Sequence, residues 1–263
     1  WYAKPIYVLI VLVLVLSLGI VLAPSVITNS SIASAASSQV LYGANGAAGN
    51  LAHLYTIDPS TAAVLEDVGP IGYSVTGLAF ASDGTLYGVT TCQDLGNPHS
   101  LIRIDTTTGA GTVVGDHGPD GDKNIADISF SPAGLLYGWA EDNIDDLVTI
   151  DTATGIATVV GESGLSTWGS GLAFAPDGTL YFTGRGDAGD LHTINPVTGA
   201  PTVVATLDGT EKSSIGGLAC DANGTLYGAR KLGDEGPPCD LIIINTTSGH
   251  ITSIGTITYM DSP

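Results

Sequence analysis

Positive charge, cysteine and helical patterning are all scarce in this chain. Lys and Arg together number 7 against 26 Asp and Glu, which leaves a formal net charge of −19. Such an acidic surface repels phosphate backbones, and no basic patch with interleaved aromatics is present, so we expect no nucleic-acid partner. Cys92, Cys220 and Cys239 are too few for a disulfide framework, although one bond between Cys92 and Cys239 stays open. No amphipathic helical pattern of useful length follows residue 40.

The usual sequence signatures of enzyme active sites are also missing. The chain has no GxSxG, no HExxH and no paired-histidine metal spacing, and its 5 histidines are scattered. The segment from Gly184 to Gly189 matches GxGxxG in letters, but no helix follows it to hold a pyrophosphate. These absences favour a non-enzymatic function, while acid–base catalysis by a single Asp stays open.

What is present is one unit, about 45 residues long, written nearly five times. Its clearest copy runs from Gly171 to Ala205 and contains four short β signals, called strands A to D, separated by turn residues such as Asp177 and Gly178. The Leu that opens strand C recurs at Leu54, Leu101, Leu147, Leu191 and Leu241. Four antiparallel strands per unit are typical of a propeller blade. The sequence therefore predicts an all-β, five-bladed β-propeller with four-stranded antiparallel blades over residues 40–263.

Closure of the ring depends on how many strands of each kind the sequence contains. Strands B, C and D occur five times, but obvious A strands occur only at Leu78–Phe80, Ile128–Phe130, Leu172–Phe174 and Leu218–Cys220. The segment Ile257–Met260 reads as a fifth A strand, with Tyr259 in the position of the repeated Phe. We therefore predict that this C-terminal strand completes the first blade and removes the exposed sheet edges. A solenoid or a truncated larger propeller is the alternative.

The first 39 residues stand apart from the repeat. Ile6 to Ala23 is a nearly unbroken apolar run with Lys4 before it, at the length that separates a signal h-region from a membrane span. Residues 1–24 are predicted to form a separate apolar helix, either a signal peptide or a transmembrane anchor, and residues 25–39 a Ser/Ala-rich linker. Ala35 ends an A-x-A cleavage pattern. We expect an extracytoplasmic, monomeric propeller that is secreted or held in the membrane through this segment alone.

The two faces of the predicted propeller differ in sequence variability. The A–B and C–D turns are short and repetitive, whereas the B–C and D–A loops differ strongly between copies. Function is therefore expected on the face that carries the B–C and D–A loops, here called the loop face. The candidate ligand-binding residues there are Tyr73, Asp127, Glu141, Asp142, Trp168, Arg185 and Arg230. The first hypothesis is a binding module for a protein or a glycan.

The rival hypothesis is a propeller enzyme, a lyase or a hydrolase, acting at the axial mouth of the loop face. Such an enzyme needs at least two titratable groups that converge at one point, for example Asp127 with Glu141 or His117. Metal-dependent hydrolases on propellers place carboxylates at the tops of several inner strands. The equivalent positions here hold Gly77, Asp127, Gly171 and Gly217. One acid among three glycines argues against that chemistry.

One acidic loop carries oxygen ligands suited to calcium. Asp116, Asp120, Asp122 and Asn124 follow one another at short intervals, and the last three are spaced like the start of an EF-hand loop. The Gly expected at the sixth position and the Glu expected at the twelfth are missing, so the EF-hand motif fails. A looser Ca²⁺ site on these residues stays open, and no other cofactor is implied.

The repeated lines of the sequence carry a family resemblance. They contain Leu-Tyr-x-Ile-Asp, Thr-Gly, Val-Gly and Gly-Leu-Ala-Phe-x-x-Asp-Gly-Thr-Leu-Tyr-Gly, and they resemble exported bacterial and archaeal propellers of the YVTN/NHL-like group. The resemblance covers residues 40–259. It implies a propeller fold but no single function, because that group includes binding proteins, lyases, lactonases and surface proteins.

Overall fold

Five four-stranded sheets make up the protein. The structure, a computed structural model, describes residues 11–15, 39–46, 49–118, 124–141, 144–185, 189–208, 215–231 and 239–258. These residues form 20 strands joined by turns and loops, with no helix among them. Each sheet is antiparallel and follows the chain order of its strands. The first strands of the five sheets contact one another around a central axis, which is a five-bladed propeller and confirms the predicted fold class.

The strands are numbered in chain order, four to a blade from the axis outward. Blade one contains β1 (Val11–Val15), β2 (Val40–Ala44), β3 (His53–Ile57) and β4 (Val64–Pro70). Blade two contains β5 (Val75–Phe80), β6 (Leu86–Thr90), β7 (Ser100–Ile104) and β8 (Gly111–Asp116). Blade three contains β9 (Asn124–Phe130), β10 (Leu136–Glu141), β11 (Asp146–Ile150) and β12 (Ala157–Glu162). Blade four contains β13 (Trp168–Phe174), β14 (Leu180–Arg185), β15 (Asp190–Ile194) and β16 (Pro201–Thr206). Blade five contains β17 (Ile215–Cys220), β18 (Leu226–Lys231), β19 (Cys239–Ile244) and β20 (Ile251–Ile257).

The repeated Leu-Tyr-Gly of strand B shows how the blades pack. In blade three, Leu136 and Tyr137 are buried, and a Cβ built on Gly138 would lie 3.0 Å from the side chain of Ile125. The tyrosine then contacts the next blade, because its ring lies 5.2 Å from that of Phe174 in an edge-to-face arrangement. The same contact between neighbouring blades joins Tyr42 to Phe80 and Tyr87 to Phe130.

Close backbone contacts join neighbouring blades around the rim. A Cβ on a strand D glycine would clash with the C–D turn of the next blade at Gly69, Gly115 and Gly161. Between blades five and one, a Cβ on Gly255 would lie 3.0 Å from the carbonyl oxygen of Thr61. One core cluster joins these two blades through residues that include Leu41, Ile57, Tyr227 and Leu241. Packing between the first and last blades therefore closes the ring.

The C-terminal strand does not complete the first blade, so this part of the prediction is wrong. Ile257 ends β20, the outermost strand of blade five, where it pairs with Cys239. The inner position of blade one is occupied by β1, which pairs with β2 from Val11 opposite Ala44 onward. The rest of the predicted closing strand, from residue 259, lies outside the described residues. A short apolar run does not distinguish the end of an outer strand from an inner strand, and only the pairing does.

Residues 11–15 also differ from the predicted N-terminal helix, because they form strand β1. The other residues of the predicted leader, 1–10 and 16–24, lie outside the described residues. Within the described ranges, no helix has the length and apolar character needed to cross a membrane. The connection from β1 to β2 spans residues 16–39, whereas the equivalent turn in blade two is only 81–85. Strand β1 is therefore not part of the repeated unit.

The cysteines are all free thiols in this structure. Cys92 is exposed, whereas Cys239 is buried between blades five and one. Burial raises the pKa of the Cys239 thiol to about 12, and it does the same for Cys220. The buried Cys239 and the partly buried Cys220 therefore behave as small apolar core residues.

Candidate functional site

The interface between blades three and four contains two unusually large side chains. Trp139 and Phe182 are both fully buried, with ring centroids 4.0 Å apart. In the other four blades a glycine holds the position of Phe182 on strand B, and the position of Trp139 is held by Ala44, Val89, Thr183 and Ala229. The aromatic pair separates this interface from the others, and a polar cluster lies next to it on the loop face.

Asp145 organises the polar cluster from the B–C loop of blade three. Its Oδ2 accepts hydrogen bonds from the backbone N–H and the hydroxyl of Thr167, at 2.7 Å and 2.6 Å, and from Nε1 of Trp139 at 3.4 Å. Its backbone carbonyl accepts a bond of 2.7 Å from the hydroxyl of Ser163. Because Ser163 and Thr167 belong to the D–A loop that leads to blade four, the buried Asp145 joins both loops.

Two hydroxyl groups connect Asp145 to a second carboxyl group. The hydroxyl of Thr167 lies 3.0 Å from that of Ser170, and Ser170 donates to Oε1 of Glu141 from its hydroxyl at 2.8 Å and from its backbone N–H at 3.2 Å. Ser170 is buried, whereas Glu141 is partly exposed on the loop face. Burial raises the pKa of Glu141 to about 7, reinforced by the negative charge of Asp145 and opposed by hydrogen bonds from Ser170 and from the side chain of Asn124.

The four residues Glu141, Ser170, Thr167 and Asp145, here called the Glu141 cluster, accommodate both protonation states of Glu141. When Glu141 is ionised, the Ser170 hydroxyl donates to it. When Glu141 is protonated, Ser170 is free to donate to Thr167, whose own hydroxyl donates to Asp145. Neither state leaves a buried hydroxyl without a partner. A carboxyl group with a pKa near 7 at an open face is suited to donate a hydrogen bond or a proton to a ligand.

Asp127 lies near the axis and connects three inner strands. Its Oδ1 accepts from the backbone N–H of Ile128 at 2.9 Å, and its Oδ2 from those of Leu172 at 2.9 Å and Leu218 at 3.5 Å. Burial raises the pKa of Asp127 well above its usual range, against the effect of these bonds. The described partners of its carboxylate are thus backbone groups, not Glu141 or His117. The residue that converges with Glu141 is Asp145.

The other candidates lie at different places on the ring. Trp168 directly follows Thr167 of the Glu141 cluster in the chain, and 54 % of its surface is exposed. Tyr73 lies in the D–A loop after blade one, far along the ring from that cluster. Arg230 forms an ion pair of 3.0 Å with Asp240 inside blade five, which engages one nitrogen of its guanidinium, while its buried Nε has no hydrogen-bond partner among the described residues.

The structure gives less on two other candidates, and it places His117 in the interior. Asp142 lies outside the described residues, and Arg185 is described through its backbone, which pairs with Trp168. His117 is fully buried, with its Nδ1 2.9 Å from the carbonyl oxygen of Gly155. Burial lowers the pKa of His117, which keeps it neutral between blades two and three.

The predicted calcium ligands are only partly described. Asp120 and Asp122 lie outside the described residues, and Asp116 and Asn124 already accept bonds from backbone N–H groups. The part of the chain that the structure covers holds no group of three His, Cys, Asp or Glu able to share one metal ion. At the axis, the oxygens of Asp127 face N–H donors, which do not suit a cation. The axis does not fit calcium, and a site in the 116–124 loop stays a prediction.

Sequence reasoning missed the buried part of the Glu141 cluster. Ser170, Thr167 and Asp145 are ordinary loop residues in the sequence, and their spacing matches no motif. A signal was nevertheless present, because Trp139 and Phe182 break the pattern of small residues at their positions in strand B. These two larger side chains indicate that the interface between blades three and four differs from the others, and the Glu141 cluster lies at that interface.

The fold places this protein among β-propellers built from short repeats. A family model described as a repeat of unknown function, DUF6923, matches residues 128–262, about half of the chain. The chain belongs to this repeat family. Among curated protein sequences, none matches it.

Several solved structures are similar to this chain. Regucalcin from Agrobacterium tumefaciens, a calcium-binding protein, has 21 % identity and a TM-score of 0.51, with 82 % of this chain and 70 % of that chain covered. A gluconolactonase from Xanthomonas campestris has 13 % identity and a TM-score of 0.54, covering 82 % and 71 %. A luciferin-regenerating enzyme has 15 % identity and a TM-score of 0.50, covering 84 % and 73 %. These identities support the propeller fold alone, and assignment to the YVTN/NHL-like group stays a prediction.

Proposed function

We propose that the protein is an extracytoplasmic binding module that takes a neutral glycan on the loop face between blades three and four. One observation carries the proposal. The half-buried Glu141, whose carboxyl group has a pKa of about 7, is held by Ser170 in a cluster with Thr167, and the exposed Trp168 directly follows Thr167 in the chain. The pair offers a hydrogen-bonding group and a flat aromatic surface at one place.

The chemistry of this place favours a ligand rich in hydroxyl groups. The face of an indole ring packs against the apolar face of a sugar, while a carboxyl group exchanges hydrogen bonds with its hydroxyls. A net charge of −19 disfavours anionic ligands, because they are repelled before they reach the surface. A neutral sugar is not repelled by this charge.

The Glu141→Gln variant is expected to bind the glycan as well as the wild type does in acid, but without pH dependence. In the wild type the protonated carboxyl group donates to the ligand. With a pKa of about 7, only about 3 % of the protein keeps that proton at pH 8.5, so the affinity falls about 30-fold. The amide of Gln keeps a donor at every pH. A glycan array followed by calorimetric titration at pH 5.5 and 8.5 measures the difference.

Two further variants serve as controls for this experiment. Trp168→Ala should abolish binding, whereas Leu135→Ala should leave it unchanged, because Leu135 is 55 % exposed in an A–B turn on the opposite face. Folding is checked through stability. Since the folded pKa of Glu141 lies above its ordinary value of 4.5, the wild type loses stability as the pH rises from about 4.5 to 7, and the Gln variant lacks the part of this loss that Glu141 contributes. Loss of binding by Glu141→Gln at both pH values would refute the proposal.

A second candidate function is a hydrolase or lyase in which Glu141 is the general acid or base. The observation that favours it is the same pKa near the operating pH, and one of the similar solved structures bears the name gluconolactonase. The Glu141→Gln variant distinguishes the two functions, because it keeps hydrogen bonding but cannot transfer a proton. Cleavage of a bound glycan by the wild type but not by the variant would establish the enzyme.

We also propose export of the propeller, with residues 1–24 retained as a membrane anchor. The apolar run from Ile6 to Ala23 and the preceding Lys4 support this orientation. Anchoring would require Val11–Val15 to leave the position that they take in blade one, because one segment cannot lie in both the bilayer and the blade. Fractionation of a bacterial host is expected to recover the full-length chain with the membranes. Recovery in the cytosolic soluble fraction would contradict export and agree with β1 in the blade.

A further inference from the structure

A second open site lies on the loop face between blades one and two. A cavity of about 410 Å³ is bounded there by the B–C loops of both blades and by the D–A loop that joins them. Its apolar lining includes Leu51, Tyr73 and Leu95, and its polar lining includes Asp94 and Asn97. The volume falls in the range of cavities that hold a compact ligand group.

The loop that carries Leu95 is held in place by the residue before it. Oδ1 of Asp94 accepts from the backbone N–H of Gly96 at 3.0 Å and of Asn97 at 2.9 Å, and Oδ2 accepts from that of Ser74 at 2.8 Å. Asp94 is itself buried. Its carboxylate therefore fixes the B–C loop of blade two against the D–A loop, so the cavity is present before a ligand arrives.

Two leucines on different loops are exposed at the edge of this cavity. Leu95 is 98 % exposed and Leu51 is 67 % exposed, and both border the same space as the ring of Tyr73. A single exposed leucine is common, but two that converge with an aromatic ring on a preformed cavity are typical of a contact for another apolar group. A glycan would instead require several polar partners, and the side chains here supply few.

The charge of the surroundings restricts the ligand further. Asp94 is the only charged residue in the described lining, and the chain carries 26 acidic against 7 basic residues. The protein therefore attracts a ligand that carries positive charge beside its apolar group, and it repels an acidic ligand. A basic peptide combines both properties, since its apolar side chain fills the cavity while its cations face the acidic surface.

We propose that the cavity bounded by Leu51, Tyr73 and Leu95 binds a peptide segment of a partner protein, which inserts one large apolar side chain flanked by Lys or Arg. The apolar contact provides the affinity, and the charge provides selection against acidic peptides. This site lies away from the Glu141 cluster and does not depend on a ligand there.

The test is a selection from a display library of random twelve-residue peptides on three forms of the full-length chain. These are the wild type, a loop-face variant with Leu51→Ser and Leu95→Ser, and a control variant with Leu135→Ser and Val197→Ser. The control residues are 55 % and 78 % exposed in turns on the opposite face. The wild type and the control are expected to enrich peptides in which an aromatic or aliphatic residue adjoins Lys or Arg. The loop-face variant should lose that enrichment.

A synthetic copy of the most enriched peptide then tests the chemistry. Its affinity for the wild type is expected to fall about tenfold with Leu51→Ser and Leu95→Ser, and to weaken with added salt. Equal enrichment on all three forms, enrichment of acidic peptides, or no enrichment on the wild type would overturn the proposal. Glycan binding that is lost in the loop-face variant alone would also overturn it and assign the cavity to a sugar.

Discussion

The Gly155→Ala variant is expected to lose about 4 kcal/mol or more of its free energy of unfolding. Gly155 closes the C–D turn of blade three with φ at 83°, and an added Cβ would clash with the backbone carbonyl of Gly115 in blade two. Because the added Cβ would meet backbone atoms of Gly115, no side chain can rotate away to relieve the clash. The two blades would have to separate at the rim, which a denaturant titration detects as a lower midpoint.

The matched control is Gly178→Ala in an A–B turn. Gly178 has nearly the same backbone conformation, with φ at 89°, but no atom lies within 4 Å of an added Cβ. Its cost is limited to holding Ala in a left-handed conformation, about 1 to 2 kcal/mol. The difference between the two variants therefore measures the contact between blades. Equal losses would show that the rim contacts do not stabilise the ring.

Trp139→Ala is expected to cost about 3 to 5 kcal/mol, as large-to-small substitutions in a packed core do. The indole is fully buried, its ring centroid lies 4.0 Å from that of Phe182, and its Nε1 donates to Asp145. Its removal leaves a cavity between blades three and four and takes one donor from a buried carboxylate. Thermal and denaturant unfolding both measure the loss.

Trp168→Ala provides the comparison, because this second tryptophan directly follows Thr167 of the same cluster in the chain. More than half of its surface is exposed, so its loss should change the free energy of unfolding by no more than about 0.5 kcal/mol. We expect the Trp168→Ala variant to keep its fold and to lose glycan binding. A similar destabilisation by both substitutions would mean that Trp168 belongs to the core and not to a ligand site.

The five blades could be predicted because the signals for each blade lie within a few residues of one another. Asp177 accepts a bond of 2.9 Å from the N–H of Thr179, and Asn195 accepts one of 2.9 Å from that of Val197. Turns of this kind are therefore specified by a side chain and a glycine within a few residues of it, and they recur with the repeat. The loop face, on which Glu141 and Trp168 lie, could also be predicted, because the difference between short repetitive turns and variable loops is visible within each repeat.

The closure of the ring could not be predicted in the same way. Ile257 and its neighbours are apolar enough for either an inner or an outer strand. Their burial against blade one suits both assignments, because Ile257 packs in the cluster that contains Leu41. Only the hydrogen bonds to β19 identify the segment as the outer strand of blade five. The sequence pattern records which residues are apolar but not which strand they pair with.

By itself, the sequence determined the blade, the number of blades and the face on which to look for a site, since strand, turn and loop-length signals are local and repeated. The tertiary structure decided that Val11–Val15 forms the inner strand of blade one and that Ser170 of blade four donates a hydrogen bond to Glu141 of blade three. It also decided that Asp127 connects strands instead of joining Glu141. These contacts join residues far apart in the chain, and their geometry follows from how whole blades pack, which no local pattern encodes.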